Sequence, residues 1–443
     1  MDGALTFSVL KELFLRGSPS RGRGRSFRGR NPASDNPNDT EEMDRERRKE
    51  CKDLLAIDLT GCISAVFYNA LSEFVTTYID IDDVQSSDEE RGRNESPVRV
   101  SAKEPLSFPG LQRLCLLGVR AIQPEILHPF VLAFPSLTHL DLSATRVTPD
   151  LLDSLGQSQT IRLESLALSR CIKLTGDSIT NFLIHGKATR DLKELNLYGD
   201  NMFPSNLTED NLCALVANAP CFKSGNLEYL DLSSSPVTME HLSNLVVQPK
   251  LRSLGLSYIP LLPLSAIADF LLYKASNVEI LSIISTSPDL SIRPTAFQAS
   301  MALHQTLVQP LCASPMSFQI SLTPTKPQDP ATHLRVIELS ISLLNSLGGG
   351  AEAWRVIRSK GGRGWYVDTA SGWTAETGDH AVLQRSLPRD NPLRDELQKL
   401  ADANGNVNSG VGWHARKMEV LHGYGLHGRE DGLYGAVAFA YQG

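Results

Sequence analysis

A six-residue pattern, L-x-x-L-x-L, recurs along this 443-residue chain and constrains its fold more than any other feature. Full copies start at Leu111, Leu137, Leu163, Leu192, Leu227 and Leu251. Copies with other aliphatic residues start at Val278 and Leu334, and two earlier copies start at Leu10 and Leu54. Starts from 111 to 278 are 24 to 35 residues apart. Because the leucines alternate as in a half-buried strand, the pattern predicts a stack of repeated units.

The residues after each strand pattern also repeat, and they predict a helix. Five units share a short motif that opens a helical run: Ile122-Gln-Pro-Glu125, Val147-Thr-Pro-Asp150, Leu174-Thr-Gly-Asp177, Leu207-Thr-Glu-Asp210 and Val237-Thr-Met-Glu240. In four of them a threonine can cap the helix, whereas Gln123 is a poorer cap. The acid then lies in the first helical turn, where the helix dipole favours negative charge. Each unit is therefore predicted to be a strand, a turn and a helix that bury their apolar faces by stacking.

This combination resembles the leucine-rich-repeat family, and two units resemble its cysteine-containing subtype. The two are residues 54–71, LLAIDLTGCISAVFYNAL, and residues 163–183, LESLALSRCIKLTGDSITNFL. In both, a cysteine (Cys62 or Cys171) comes eight residues after the first leucine. The resemblance covers about residues 5–345 and implies an α/β solenoid with a parallel inner sheet and outer helices. The subtype is typical of the substrate-binding arrays of F-box proteins in ubiquitin ligases, although no F-box segment is recognisable.

Three inserts interrupt the predicted array, and a region of different composition follows it. In chain order the predicted segments are a first partial repeat at 1–16, a disordered Arg/Gly-rich and then charged insert at 17–50, a repeat at 51–79, a charged insert at 80–105, the main array at 106–285, a proline-rich insert at 286–330, the last repeat at 331–347 and a Gly/Trp-rich mixed α/β region at 348–443. Within these, 295–309 and 391–405 are predicted helices, and 354–373 is predicted to form strands around a glycine turn.

Composition and charge narrow the class of protein. A net charge of −7 argues against wholesale binding to nucleic acid. The seven cysteines form no CxxC pair, which indicates free thiols in a reducing compartment. The first residues lack the charged front and cleavage site of a signal peptide, and no run of 18 apolar residues predicts a membrane span. These features predict a cytoplasmic or nuclear protein that is neither secreted nor membrane-bound.

The candidate binding residues are the polar side chains that alternate with the leucines, because these residues should face the concave side of the sheet. They are Asp58, His139, Asp141, Glu194, Asn196, Tyr198, Tyr229, Asp231 and Glu338. Their mostly acidic character favours a basic or mixed protein segment as the partner. Tyr198 and Tyr229 are predicted to lie side by side as an aromatic anchor, since aromatic residues dominate binding hot spots.

The sequence therefore predicts a non-enzymatic protein-binding scaffold, in its specific version a ligase receptor with cullin and adaptor partners. No catalytic, cofactor-binding or metal-binding residue and no small-molecule substrate is predicted. Two alternatives stay open. An RNA-associated protein would use the arginine–glycine segment 21–30, for which a solvated loop is favoured. An enzyme would use His380, His414, His422 and His427, which show no metal-ligand spacing.

Overall fold

The computed structural model describes residues 5–15, 54–79, 106–291, 296–312, 331–350, 354–358, 363–368 and 438–441. The α-helices are α1 Phe7–Leu15, α2 Ala65–Tyr78, α3 Pro124–Leu132, α4 Pro149–Gln157, α5 Gly176–His185, α6 Glu209–Asn218, α7 Pro220–Lys223, α8 Met239–Asn244, α9 Leu264–Tyr273, α10 Pro288–Ser291, α11 Ala296–Leu303, α12 Gln309–Cys312 and α13 Ile341–Ser346. The strands are β1 Leu54–Asp58, β2 Arg113–Cys115, β3 His139–Asp141, β4 Ser165–Ala167, β5 Glu194–Asn196, β6 Tyr229–Asp231, β7 Ser253–Gly255, β8 Ile280–Ser282, β9 Val336–Ser340, β10 Trp354–Arg358, β11 Arg363–Asp368 and β12 Ala438–Tyr441.

The chain divides into two compact units, of which the first holds the described residues up to His139, with Thr145–Val147 and 438–441. In it, β1 pairs with β2 in parallel and with β12 antiparallel. Phe14 of α1 is fully buried, with the rings of Phe74, Phe108, Phe130 and Phe134 at centroid distances of 5.1–6.1 Å. Helix α1 thus covers the aromatic core of this unit.

The predicted repeat copy at Leu10-Leu13-Leu15 is wrong, because these residues lie in helix α1. The spacing L-x-x-L-x-L is compatible with a strand, in which side chains alternate every two residues. It is also compatible with a helix, in which residues three and four apart share one face. Leu10, Leu13 and Phe14 satisfy that helical spacing, and all three are buried. The pattern alone therefore could not distinguish a strand from a helix at this end of the array.

The second unit contains the remaining described residues, and its core is a row of aliphatic side chains in register. Strands β4 to β9 pair in parallel, and the residue at the fourth repeat position of each strand lies opposite that of the next: Leu166, Leu195, Leu230, Leu254, Leu281 and Ile337. Each of these side chains is at most 1% exposed. The sequence prediction of a parallel, stacked leucine-rich-repeat solenoid is confirmed in this unit.

After β9 the strand direction reverses. Strand β11 pairs antiparallel with β9, and β10 pairs antiparallel with β11, so strands form within the predicted range 354–373 over the described residues 354–358 and 363–368. Trp354 and Trp365 are buried, at 3% and 2% exposure. The predicted helix at 295–309 also forms, as α11 and α12 with a π-helical stretch at His304–Val308 between them. The predicted helix at 391–405 lies outside the described residues.

The turns after strands β1 to β4 and β6 to β8 contain a left-handed residue at the same repeat position. These residues have φ between +52° and +77°: Gly61, Gly118, Ala144, Arg170, Ser234, Tyr258 and Ser285. Only glycine adopts this conformation without strain, which costs other residues about 1–2 kcal/mol. The repeat therefore imposes this turn even where the local residue disfavours it.

Threonine capping is confirmed at three of the four predicted positions. Thr175, Thr208 and Thr238 each accept a hydrogen bond from the third helical residue, whose side chain returns the bond in a capping box. Thr148 has no such cap bond, and its hydroxyl donates to Asp150 instead. Gln123 is also without a side-chain cap bond.

The subtype cysteine has a specific contact in the second unit. The Cys171 thiol is 3% exposed and donates to the carbonyl of Leu142, in the preceding repeat, at 3.1 Å. Thr286 holds the same repeat position and donates to the equivalent carbonyl, that of Leu256. Cys62 is also buried in its turn. Both subtype cysteines are therefore small buried residues in the turn after a strand.

Charged residues that precede each strand alternate in sign across the second unit. The second repeat position holds Glu164, Lys193, Glu228, Arg252, Glu279 and Arg335. The Lys193 ammonium lies 2.8 Å from Glu164, and Arg252 pairs with Glu279. The bond to Glu164 raises the pKa of Lys193. Because opposite charges favour each other on adjacent strands, this alternation supports the observed strand order.

No helix in the described part of the chain is both long and apolar enough to cross a membrane.

The central row of leucines yields the first prediction. We expect Leu166→Asp to lower the free energy of unfolding by several kcal/mol, because it buries a charge with no partner between stacked units. Leu261→Asp is the matched control, since Leu261 is 84% exposed and should change stability by less than about 0.5 kcal/mol. Urea unfolding of both variants measures the difference. Equal stability of the two variants would contradict the stacked core.

The left-handed turns yield the second prediction. A Cβ at Gly118 would lie 3.9 Å from the nearest atoms, so Gly118→Ala adds backbone strain without a clash. We expect it to lower the free energy of unfolding by about 0.5–1 kcal/mol, and Ser234→Gly to raise it by roughly 0.5 kcal/mol. Thermal and urea unfolding measure both. A shift in the same direction for both variants would show that the turn conformation is not the cause.

Candidate protein-binding face of the sheet

The face of the second unit's sheet opposite the leucines carries a continuous row of aligned residues. The strand registers place Asn196, Asp231, Gly255, Ser282, Glu338 and Trp365 opposite one another in turn. We call this set the polar row. Asn196, Asp231 and Glu338 were predicted from the sequence as binding residues, and the fifth repeat position also places Gly255 and Ser282 on this face. Trp365 was not predicted, because it comes from an antiparallel strand outside the repeat.

Acidic and amide residues at the fifth position close the turn after their own strand. In each case a side-chain oxygen accepts the backbone N–H two residues later, at 2.8–3.0 Å: Asp58 from Thr60, Asp141 from Ser143, Asn196 from Tyr198 and Asp231 from Ser233. Asparagine and aspartate side chains commonly stabilise turns in this way. These four predicted binding residues therefore have a structural role in addition to any contact with a partner.

Asp231 extends across its neighbouring strand. A Cβ at Gly255 would lie only 2.3 Å from Cγ of Asp231, so glycine is required there to make room for the carboxylate. The second carboxylate oxygen accepts a hydrogen bond from the Tyr229 hydroxyl at 3.2 Å. Asp231 is 1% exposed and Tyr229 is 3% exposed. The carboxylate is thus held by the tyrosine and by its own turn.

Glu338 is the second buried carboxylate of the polar row. One of its oxygens accepts a hydrogen bond from the Trp365 indole N–H at 2.8 Å, and the other accepts from the Ser282 hydroxyl. Trp365 lies opposite Glu338 in the strand register, and Glu338 is 1% exposed. Hydrogen bonds to an ionised acceptor are the strong ones, so they offset part of the cost of burying this charge.

The two carboxylates affect the acid–base chemistry of the row. Burial raises the pKa of Asp231, and the Glu338 charge adds to that effect against the hydrogen bonds from Ser233 and Tyr229, which lower it. Burial also raises the pKa of Tyr229 well above its ordinary value, with Asp231 contributing. The centre of this face therefore carries two buried carboxylates, and burial disfavours the charged form of Asp231.

Burial separates the nine predicted binding residues into two groups. Asp58, His139, Asp141 and Glu194 are partly exposed. Asn196, Tyr198, Tyr229, Asp231 and Glu338 are at most 3% exposed. The predicted pair of exposed anchor tyrosines is wrong, because both rings are buried and the register places Tyr229 opposite Glu194. In the second unit, Asp141 and Glu194 are therefore the predicted binding residues that have exposed surface.

Tyr198 instead helps to hold an insert that accounts for the longest repeat spacing. The Arg170 guanidinium lies 5.6 Å from the ring centroids of both Tyr198 and Phe203, and it pairs with Asp200. Asp200 also accepts the backbone N–H groups of Met202 and Phe203, each at 2.8 Å. Tyr198 is therefore buried with a cation–π contact that the repeat pattern does not encode.

The residues behind the two alternative functions cannot be placed. The arginine–glycine segment 21–30 and the histidines at 380, 414, 422 and 427 lie outside the described residues. Across the residues that are described, no group of three or more His, Cys, Asp or Glu side chains could hold a metal ion.

No protein-family model matches this chain, and no curated protein matches it. Among solved structures, one match is the Rad7 and Elc1 complex in yeast, at 19% identity and a TM-score of 0.33, covering 41% of this chain and 46% of that chain. Another is the leucine-rich repeat-containing protein LegL7 from Legionella pneumophila, at 16% identity and a TM-score of 0.31, covering 55% and 83%. The chain therefore spans less than half of the first matched chain. At such values these likenesses carry no argument about activity or partners.

The raised pKa of Asp231 yields the third prediction. A group whose pKa is raised on folding contributes stability only while it is protonated, and that contribution is lost as pH rises through the folded pKa. Asp231→Asn keeps the turn bond, as Asn196 does, and removes the buried charge. We expect it to raise the free energy of unfolding at pH 7 by roughly 1 kcal/mol, with a smaller gain as pH falls towards 4.

Asp141→Asn is the matched control, because it changes the same turn residue at a partly exposed position. It should shift stability by less than about 0.5 kcal/mol at either pH. Urea unfolding at pH 7 and pH 4 measures both variants. A loss of stability in Asp231→Asn at pH 7 would show that the buried carboxylate is net favourable.

Proposed function

We propose that this protein is a non-enzymatic binding scaffold whose concave sheet face receives a basic segment of a protein partner. The observation that carries the proposal is the charge of that face in the second unit. Asp141 and Glu194 are partly exposed there, and Asp231 and Glu338 are buried on the same face. Lysine and arginine side chains complement such a surface, whereas acidic segments are repelled by it.

The buried carboxylates contribute although a partner does not touch them. Low-dielectric surroundings screen charge poorly, so Asp231 and Glu338 strengthen the negative potential at the partly exposed residues. Glu194 lies opposite Tyr229 in the register, immediately beside the polar row. The acidic potential is therefore focused on the strands whose outward side chains a partner segment would contact.

The specific version of this proposal is a substrate receptor of an F-box-type ubiquitin ligase, with cullin and adaptor subunits as further partners. Its support is the cysteine-containing repeat. The buried Cys171 thiol donates a hydrogen bond to the preceding repeat, so this cysteine has a structural role in its unit. This support concerns the type of repeat and leaves the ligase contacts to be tested. A cytoplasmic or nuclear location belongs to the same proposal.

The fourth prediction tests the concave face with two variants that remove the same number of negative charges. The concave variant combines Asp141→Asn with Glu194→Gln, in which asparagine preserves the turn bond. The convex control combines Asp153→Asn with Asp269→Asn, at exposed positions of helices α4 and α9. Each variant loses two negative charges. Binding of a fluorescent lysine- and arginine-rich peptide, measured by anisotropy at about 0.15 M salt, should weaken roughly five-fold or more in the concave variant alone.

The unaltered chain, the concave variant and the convex control should then be used for affinity purification with quantitative mass spectrometry. Natural partners should be depleted from the concave variant and retained by the convex control. Equal losses in both variants, or no binding of the basic peptide by the unaltered chain, would reject the proposed face. Absence of cullin and adaptor subunits from the purified material would reject the ligase version and leave the scaffold intact.

A further inference from the structure

A thiol and an imidazole meet on the helical side of the second unit, away from the proposed binding face. Cys213 lies in α6 and is exposed, whereas His241 lies in the first turn of α8 and is 4% exposed. The Cys213 sulfur is 3.2 Å from Nε2 of His241. Neither residue contributes to the polar row, so the scaffold function does not account for this pair.

The capping box of α8 determines which ring nitrogen of His241 carries the proton. The backbone N–H of Thr238 donates to Nδ1 at 3.1 Å, and the Thr238 hydroxyl lies 2.8 Å from the same nitrogen. A backbone N–H can only donate, so Nδ1 is an acceptor. The proton of the neutral ring is therefore on Nε2, where it points at the Cys213 sulfur. Imidazole N–H donation stabilises negative charge on that sulfur.

The other described cysteines are poorly suited to react. Cys62, Cys171 and Cys221 are buried, and Cys115 and Cys312 are partly buried. Burial raises the pKa of Cys221 to about 12, and it also raises the pKa of Cys312. Because the thiolate is the nucleophilic form, these shifts disfavour reaction at both sites. Among the six cysteines that the structure describes, Cys213 combines exposure with a hydrogen-bond donor to its sulfur.

We propose that Cys213 is a redox modification site whose thiol is oxidised by hydroperoxides, and that His241 is its positioning residue. In this reaction the sulfur attacks one peroxide oxygen, so that an S–O bond forms as the O–O bond breaks. The thiol releases its proton to solvent, and the leaving oxygen takes up a proton as water or an alcohol. Sulfur loses two electrons to become a sulfenic acid, and the hydroperoxide is reduced.

The chain itself supplies substitutions that remove the imidazole and keep the helix start. The third helical residue of the capping box is Asn211 in α6 and Ser178 in α5. His241→Asn and His241→Ser therefore reproduce capping boxes that already exist in this protein. Two independent variants guard against a folding defect in either one. Ser154→Cys, at an exposed position of α4, supplies the reference rate of an exposed helical thiol.

The experiment measures the reactivity of each cysteine in the folded full-length chain at pH 7. Iodoacetamide at low concentration is followed by denaturation and isotopically heavy reagent, and mass spectrometry gives the rate at every cysteine. Hydrogen peroxide with dimedone reports sulfenic acid in parallel. Cys213 should react fastest of the six described cysteines, and faster than the thiol introduced into α4 by Ser154→Cys. Both His241 variants should slow it roughly ten-fold at unchanged melting temperature.

Three results would overturn the proposal. The first is a Cys213 rate equal to that of the introduced α4 thiol, which would mean that exposure alone sets its reactivity. The second is an unchanged Cys213 rate in both His241 variants, which would leave His241 with a capping role only. Dimedone labelling at other cysteines but not at Cys213 would likewise reject it. None of these outcomes bears on the concave face, so the proposed scaffold function is tested separately.

Discussion

The in-register row of aliphatic side chains from Leu166 to Ile337 is the contact on which the second unit depends. Each repeat strand from β4 to β8 is only three residues long, so it gains stability only from its neighbours. Burying one such side chain contributes about 1.5–3 kcal/mol. Because the row is continuous, it also aligns every other repeat position. The polar row and the alternating charges before the strands both follow from that alignment.

Turn chemistry explains much of the acidity on the concave face. Asp141 and Asp231 close the turn after their strands. The left-handed residues Ala144 and Ser234 follow three positions later in the chain. One oxygen of each carboxylate is used in this way. The other oxygen of Asp231 accepts a hydrogen bond from the Tyr229 hydroxyl. A turn requirement met in several units thus also places acidic side chains on the face that we propose to bind a basic partner.

The buried polar groups of the second unit are held by specific partners. The Asp231 carboxylate fits beside the next strand because Gly255 has no side chain. The Glu338 carboxylate accepts hydrogen bonds from both Ser282 and Trp365. Burying two carboxylates in one sheet face costs stability, which these hydrogen bonds offset in part. His241 has a similar double role on the helical side, where one ring both caps a helix and contacts a thiol.

The sequence by itself determined the repeats, the parallel register, three of the four threonine caps and the buried cysteines, because these depend on residues close in the chain or on a fixed period. It misread Leu10–Leu15, since that spacing satisfies helix and strand alike. Only the tertiary structure decided that Tyr198 and Tyr229 are buried, that Trp365 binds Glu338 and that Cys213 meets His241. Burial and pairing depend on side chains 27 or more residues apart, which no local pattern specifies.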